Sequence, residues 1–518
     1  MTRTPQPLTP PTDPPHDAPA TVDRRALLKG TTAAALAALF PRAVDAGQAP
    51  RQMPGTVAPT ATPGDPPVTA PLSRYIAGSP DAALPPDVRE LGKRHILDTM
   101  ASMIACRDLE AAVLARKYAA ALTGGGPATM LATNDRASLI DAVFASAVTG
   151  HAAEINDFSP SSYTQPGPPV LSTALLLGAQ RGATGTALLK AVVTGYELTC
   201  RIPKTLGIRN LRDITGLASH GVGPVFGAAA AAASIMRMDV AKIPHLLSYC
   251  AQQASGSWQW LLDEAHVEKA FVFAGMPARN GLQAALLVET GFTGVPDCLD
   301  VPGGWLMAGM FAGPESDLDR RYLIDRLGER FEMPLVGYKR YPTGGPAQAS
   351  VDGMLQLARR VDRTQIDRVH IAMPGRAYAF ATAKMPALNL PYLCAIIILD
   401  GRLDFAAAHS MARKETDAAV RALMSRVEVV HDPSQEREPR AESARVTLTM
   451  KNGAREALFV EGVSGFPTHP MSHDEVEAKA LELMTPRLGA SRARQLVDLV
   501  WRLEAVTDVR ALVTAMAS

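Results

Sequence analysis

At 518 residues, the chain has length enough for about three domains. Hydrophobic residues make up 47% of it and charged residues 20%, an ordinary globular composition. Lys and Arg number 52 against 51 Asp and Glu, a net charge of +1, which excludes a strongly basic nucleic-acid binder or an acidic disordered chain. The five cysteines, Cys106, Cys200, Cys250, Cys298 and Cys394, are scattered with no C-x-x-C spacing. They give no disulfide framework and no cysteine-held metal or iron–sulfur site.

Residues 1–72 carry 15 of the 41 prolines, so no packed fold is expected there. Within them, Asp23-Arg24-Arg25-Ala26-Leu27-Leu28-Lys29 precedes a mild apolar run from Thr31 to Phe40, then Val44-Asp45-Ala46. Paired arginines, a weakly apolar stretch and a small-x-small end read as a twin-arginine export signal over residues 1–46. The translocation machinery is then a partner and the periplasm the destination. Spanning a bilayer takes ~20 apolar residues, so this run is no stable anchor. A Pro-rich disordered leader is expected over 47–74.

From 75 to 315 the apolar period is helical. Helices are predicted over Pro86–Ala105, Ser138–His151, Ser172–Gly182, Ala187–Cys200, Gly227–Met238 and Gly281–Glu289. Six successive alanines, Ala228 to Ala233, mark a central helix that neighbours approach closely. Between 316 and 468 the period changes. Asp367–Pro374, Ser425–His431 and Ser443–Val460 read as strands, the last folded back at Lys451-Asn452-Gly453. Ser472 and Glu475 form a capping box before two closing helices in 469–518, expected to rejoin the first domain. The fold class is mainly α: a large all-helical domain formed by both chain ends plus a smaller inserted α+β domain.

No H-E-x-x-H, G-x-S-x-G or P-loop pattern occurs, and the histidines show no metal-ligand spacing. Gly221-Val-Gly223-Pro-Val-Phe-Gly227 resembles a phosphate loop, but Pro224 lacks a donor and no strand precedes it, so close helix packing is the better reading. Three stretches hold chemistry. In His151-Ala-Ala-Glu154-Ile-Asn156-Asp157-Phe158, running on to Tyr163-Thr164-Gln165-Pro166-Gly167, the two carboxylates are three apart and would share a helical face, as an acid/base pair or a solvated helix end. In Asp263–Gly281, Lys269 and Arg279 would clamp a polycarboxylate or form a charged turn. In Tyr338-Lys339-Arg340-Tyr341-Pro342, aromatic and basic donors beside a Gly-rich turn suit an anion or a domain junction.

These stretches in this order, with Glu289-x-Gly291-Phe292-Thr293-Gly294, Leu390-Pro391-Tyr392, Asp400-Gly401, Pro470-Met471-Ser472 and Val500-Trp501-x-Leu503, resemble the MmgE/PrpD family over roughly residues 75–515. That family holds 2-methylcitrate dehydratases, cis-aconitate decarboxylases and iminodisuccinate epimerases. The resemblance implies the two-domain fold just described, a cleft active site, a homodimer, and no metal or organic cofactor. It also implies removal of a proton beside a carboxylate of a small di- or tricarboxylic acid. Lys269 falls on the family's site lysine, and His220 near a family site position before the poly-Ala helix. The family's Asp-x-Asp-Asp-Thr cluster stands here as Glu154, Asn156, Asp157 and Phe158, and its histidine before Pro-Gly is Gln165. The spacing from Lys269 to Gly275 is one residue longer than the family's.

The expected catalytic set is therefore Asp157, Lys269, His220 and Glu154, with Asp157 or His220 as base and Lys269 holding a carboxylate and the carbanion. Gln165, Tyr341, Lys339, Arg279, Asn156 and Tyr163 are the expected substrate-binding residues. A dehydratase-like lyase is favoured over an epimerase or a silent exported binding relative.

Overall fold

The computed structural model describes residues 66–307, 311, 317–436 and 442–517; the expected export signal and the expected leader up to residue 65 lie outside the described residues. The N-terminal part is helical: α1 (Thr69–Gly78), α2 (Pro86–Cys106), α3 (Glu110–Thr123), α4 (Leu139–Gly150), α5 (Gly167–Arg181), α6 (Gly185–Leu206), α7 (Ser219–Met236), α8 (Ile243–Gln253) and α9 (Met276–Glu289). Helix α1 corrects the expected leader, because residues 69–74 are helical. Asp300 supplies the reason: its carboxylate accepts from the N–H groups of Val68 (2.7 Å) and Thr69 (3.1 Å), satisfying donors at the helix start.

Several helices begin earlier than apolar periodicity alone indicates. Helix α5 starts at Gly167 because Pro168 and Pro169 sit in its first turn, where a missing N–H is harmless. Helix α7 starts at Ser219 and absorbs the whole Gly221–Gly227 stretch. Those glycines are there for contact. A Cβ on Gly227 would collide with Thr199 Oγ1 of α6 and lie 2.6 Å from the Gly195 carbonyl oxygen. The fully buried poly-Ala segment continues the same close approach.

The second part contains α10 (Gln348–Ala358) and α11 (Leu390–Asp400) against a sheet of β1 (Ile366–Met373), β2 (Val427–His431), β3 (Ala444–Met450) and β4 (Arg455–Val460). The strand order is β2-β1-β3-β4. β1 and β2 run parallel, and the other pairs antiparallel. The parallel pair needs a crossover, and the segment containing α11 supplies it. Alternation fixes which face is covered: Ala444, Val446, Leu448 and Met450 are buried in one apolar cluster with Val351, Met354 and Leu355 of α10. The expected turn joins β3 to β4, with Gly453 at φ +85°.

The chain then returns to helices α12 (His473–Leu488), α13 (Ala490–Trp501) and α14 (Arg510–Met516). The Ser472–Glu475 capping box is formed. Val476, Leu496, Val500 and Leu512 belong to the same hydrophobic core as α2 and α4–α7. A second core holds the sheet with α10 and α11, and a third, small one combines Ala218, Trp260 and Phe273 with Met385 and Leu388.

Glycine is ordinarily a poor helix former, by about 1 kcal/mol relative to alanine. At Gly227 contact reverses that preference. Gly227→Ala is expected to lose about 1–3 kcal/mol of stability rather than gain, an overpacking effect read from urea midpoints against wild type.

Candidate active site

Helix α4 ends at Gly150 and the chain leaves helical geometry, so Glu154 and Asp157 do not share a helical face. They point to different partners. Asp157 is fully buried among helices: Tyr196 Oη donates to its Oδ2 (2.6 Å), the Gly167 N–H donates to its Oδ1 (3.1 Å), and His95 Nδ1 lies 3.6 Å away. It binds α5 and α6 together and is not among the residues lining the cavity described below.

Glu154 is the centre of a buried charge cluster. Its Oε1 accepts from Lys269 Nζ and, at 2.9 Å, from His266 Nε2; its Oε2 accepts from Lys339 Nζ at 2.9 Å. Gln165 Oε1 stands 3.5 Å from Lys339 Nζ. The Glu154 backbone N–H donates to His409 Nε2 at 3.2 Å, while His409 Nδ1 donates to the Phe405 carbonyl at 2.8 Å, which fixes that ring as neutral. Burial opposes ionisation of Glu154, but Lys269 and Lys339 overcome it and hold the carboxyl well below its usual range. Burial lowers the Lys269 ammonium, with Glu154 opposing and Lys339 adding to the effect.

Phe273 organises the imidazoles. His220, second residue of α7, stacks on it at 3.9 Å, and His151 stacks on it at 4.8 Å and 3°. Trp258 and Trp260 present edges to His220, each at 5.6 Å. Lys269 Nζ lies 4.8 Å from the Trp260 ring centroid and 5.0 Å from that of Phe273. Phe273 reaches this place because residues Phe271–Gly275 form a π-helical turn between the short helix Val267–Ala270 and α9. A π turn takes in one extra residue.

Burial pushes His151 and His220 well below the ordinary imidazole range, lowers His266, and brings His409 down to about 4. Each is neutral at pH 7. Asn156 Oδ1 lies 2.8 Å from His151 Nδ1. An amide here accepts the ring N–H without bringing the charge that a carboxylate would add.

A cavity of about 370 Å³ opens onto this cluster. Glu154, Gln165, His220, Lys269, Phe273 and Tyr163 line it. Lys339 is fully buried behind Glu154 and Gln165. Asn156 is fully buried too and does not line the cavity, and two further expected binding residues, Arg279 and Tyr341, lie away from the cluster. Arg279 packs its guanidinium over the Phe144 ring at 5.9 Å and reaches Asn280. Tyr341 donates its hydroxyl to Asp352 at 2.5 Å. Neither lines the cavity, so the expected Lys269–Arg279 clamp and the Tyr341 hydrogen bond to substrate are not formed there. His266, His409, Phe273 and the two tryptophans carry much of the site without having been singled out by residue type.

His151, Glu154 and His266 approach closely enough to share an ion, their donor atoms lying within 4.8 Å of one another. Two ammonium groups already occupy the two Glu154 oxygens. A divalent cation there would meet both, so the donor set favours an anion-binding site over a metal centre.

Residues 70–319 match the MmgE/PrpD N-terminal domain and residues 341–505 the MmgE/PrpD C-terminal domain. The chain belongs to the MmgE/PrpD family. It is 23% identical over 494 residues to a cis-aconitate decarboxylase-like protein of Aspergillus oryzae, covering 87% of this chain and 97% of that one. It is 23% identical over 470 residues to the cis-aconitate decarboxylase of Homo sapiens, covering 87% and 94%. Within the family frame, Glu154, His220 and Lys269 fall in the N-terminal match and His409 in the C-terminal match, while Lys339 lies just before the latter.

The neutral imidazoles give the fold a pH dependence. An unfolded chain takes up protons on these histidines near pH 6.5, while the folded cluster takes them up only at lower pH. Between those values the unfolded state binds more protons, so stability falls as pH drops. Buried Glu197, raised to about 7, contributes the opposite sign over the same window, so the histidine share is read by difference: from pH 7 to 5.5 the urea midpoint of His409→Asn is expected to fall less, or rise more, than that of wild type. The same pH response in His409→Asn and wild type would contradict a neutral buried His409.

Proposed function

We propose that the protein is a cofactor-independent lyase of the dehydratase or decarboxylase type acting on a carboxylic acid. Family membership supports the reaction class. The observation that carries it to these residues is a neutral imidazole, His220, and a buried ammonium, Lys269, lining one cavity and stacked on or over the same Phe273 ring.

In this reading Lys269 receives the substrate carboxylate. Its charge stabilises the carbanion that forms when the neighbouring carbon loses a proton, as preorganised cations do in a site shielded from water. His220 is the base. Its Nδ1 is enclosed with no partner, so Nε2 is the nitrogen that would meet substrate, and the ring's neutrality leaves that atom ready to accept a proton. The incoming carboxylate offsets the Lys269 charge that disfavours imidazolium, so His220 becomes more basic once substrate is bound. The resulting imidazolium can return that proton to a leaving hydroxyl on the same face, releasing water and forming the double bond. One side chain thus serves both proton transfers, as a site with Gln165 in place of a titratable group requires. Asp157, committed to Tyr196 and to the start of α5, positions the loop that carries Glu154.

The test is proton NMR in D2O with α-protonated hydroxy acids. Wild type is expected to give deuterium at the carbon beside the carboxylate or a new vinyl signal. His220→Ala and Lys269→Ala are expected to lower either signal at least ~10²-fold, the usual scale of general base catalysis, with circular dichroism unchanged. Undiminished exchange in both variants would overturn the assignment, and exchange with inversion but no vinyl product would favour an epimerase.

We also propose export by the twin-arginine route, supported by Arg24-Arg25 and the weak apolar run after it. Replacing both arginines by lysine is expected to move the protein from the periplasmic to the cytoplasmic fraction of an expressing bacterium; unchanged fractionation would refute the route.

A further inference from the structure

The cavity has two chemically distinct ends. Its floor is the Glu154–Lys269 cluster, buried and polar. The walls above it are aromatic and apolar, with Trp258, Trp260 and Leu261 on one side and Phe380 and Leu388 on the other. The mouth is apolar as well. Tyr378 (79% exposed) and Leu262 (76% exposed) are the most exposed large hydrophobic side chains among the described residues, and both line this cavity. Exposed apolar side chains gathered at one opening mark a surface that a ligand covers.

The charge count points the same way. At the floor, Lys269 and Lys339 face the single carboxylate of Glu154, an excess of one positive charge. Higher up, Lys384 is paired with Glu264, and of the remaining lining charges Arg376, over the Trp258 ring at 5.3 Å, is offset in the count by the buried carboxyl of Glu442, so the excess stays at one. One substrate carboxylate balances the floor. Three would leave negative charge against tryptophan and leucine, where desolvation is unfavourable. A volume of about 370 Å³ lies within the range of pockets that take drug-sized ligands.

We propose that the substrate is an acid with one carboxylate seated at Lys269 and a ring-sized apolar substituent lying on Trp258, Trp260 and Phe380 and reaching Leu262 and Tyr378, rather than a compact polycarboxylate. The proposal rests on the carboxylate seat assigned above and adds the chemistry of the rest of the molecule. The aromatic walls set specificity: an aryl group stacks on them and displaces water, while a second or third carboxylate is excluded.

Two unreactive probes test it by calorimetry on the folded protein: 3-phenylpropanoate and propane-1,2,3-tricarboxylate. The aryl acid is expected to bind at least tenfold more tightly. Leu262→Ala/Tyr378→Ala, at exposed positions that leave the cores intact, is expected to bring the two within about threefold. Lys269→Ala is expected to weaken both. Tighter or equal binding of the tricarboxylate overturns the proposal while leaving the lyase reading intact. Preferential binding of the aryl acid that survives Lys269→Ala removes the carboxylate seat, and both readings with it. Preferential, Lys269-dependent aryl binding without turnover of any hydroxy acid sustains the substrate class and counts against the lyase. Binding of neither probe overturns the proposal.

Discussion

The site depends on one carboxylate. Glu154 accepts from Lys269 and Lys339 and gives its backbone N–H to His409, so a single residue joins four distant parts of the chain. Two of these belong to the helical part and one to the segment beside the sheet. Lys339 leads into the second part. A buried ion cluster of this kind gains little net stability, because removing charges from water offsets their attraction. What it supplies is position: it fixes two buried ammonium groups, one of them at the cavity floor.

The small apolar core at the junction does the complementary work. Trp260 and Phe273 come from the helical part, Met385 and Leu388 from the second part. Their contact closes the walls above the charge cluster. The π turn at Phe271–Gly275 turns Phe273 inward, and its ring then holds His220 and His151 in neutral, desolvated settings. The local departure from α-helical geometry and the state of the imidazoles thus have one cause.

The sequence carried the architecture well, because long helices and alternating strands announce themselves by period. Helix α2, the β3–β4 turn and the Ser472 capping box lie close to where spacing put them. It misplaced starts such as α5 and α7, where prolines and glycines hide a helix whose reason is tertiary contact. In the site, Glu154, Lys269 and Gln165 were legible because charged or amide groups in Pro/Gly-rich surroundings stand out, while His220 came only from the family resemblance. Asp157, Arg279 and Tyr341 stood out for the same reason, yet their partners, Tyr196, Phe144 and Asp352, lie far along the chain or across a helix turn. His409 had no local signal at all, since the group it meets at the site is a backbone N–H from residue 154.

The two amides beside the cluster act alike. Burial keeps His151 uncharged and Asn156 meets its ring without adding a charge, while Gln165 is a neutral acceptor near Lys339. Neither amide titrates near neutrality, so neither can carry a proton in the reaction. The remaining neutral imidazole that lines the cavity, His220, sits against Trp258, Trp260 and Phe273. Simplified acid–base chemistry and an aromatic wall therefore meet at one residue: the rings that desolvate the base also contact whatever the substrate carries beyond its carboxylate.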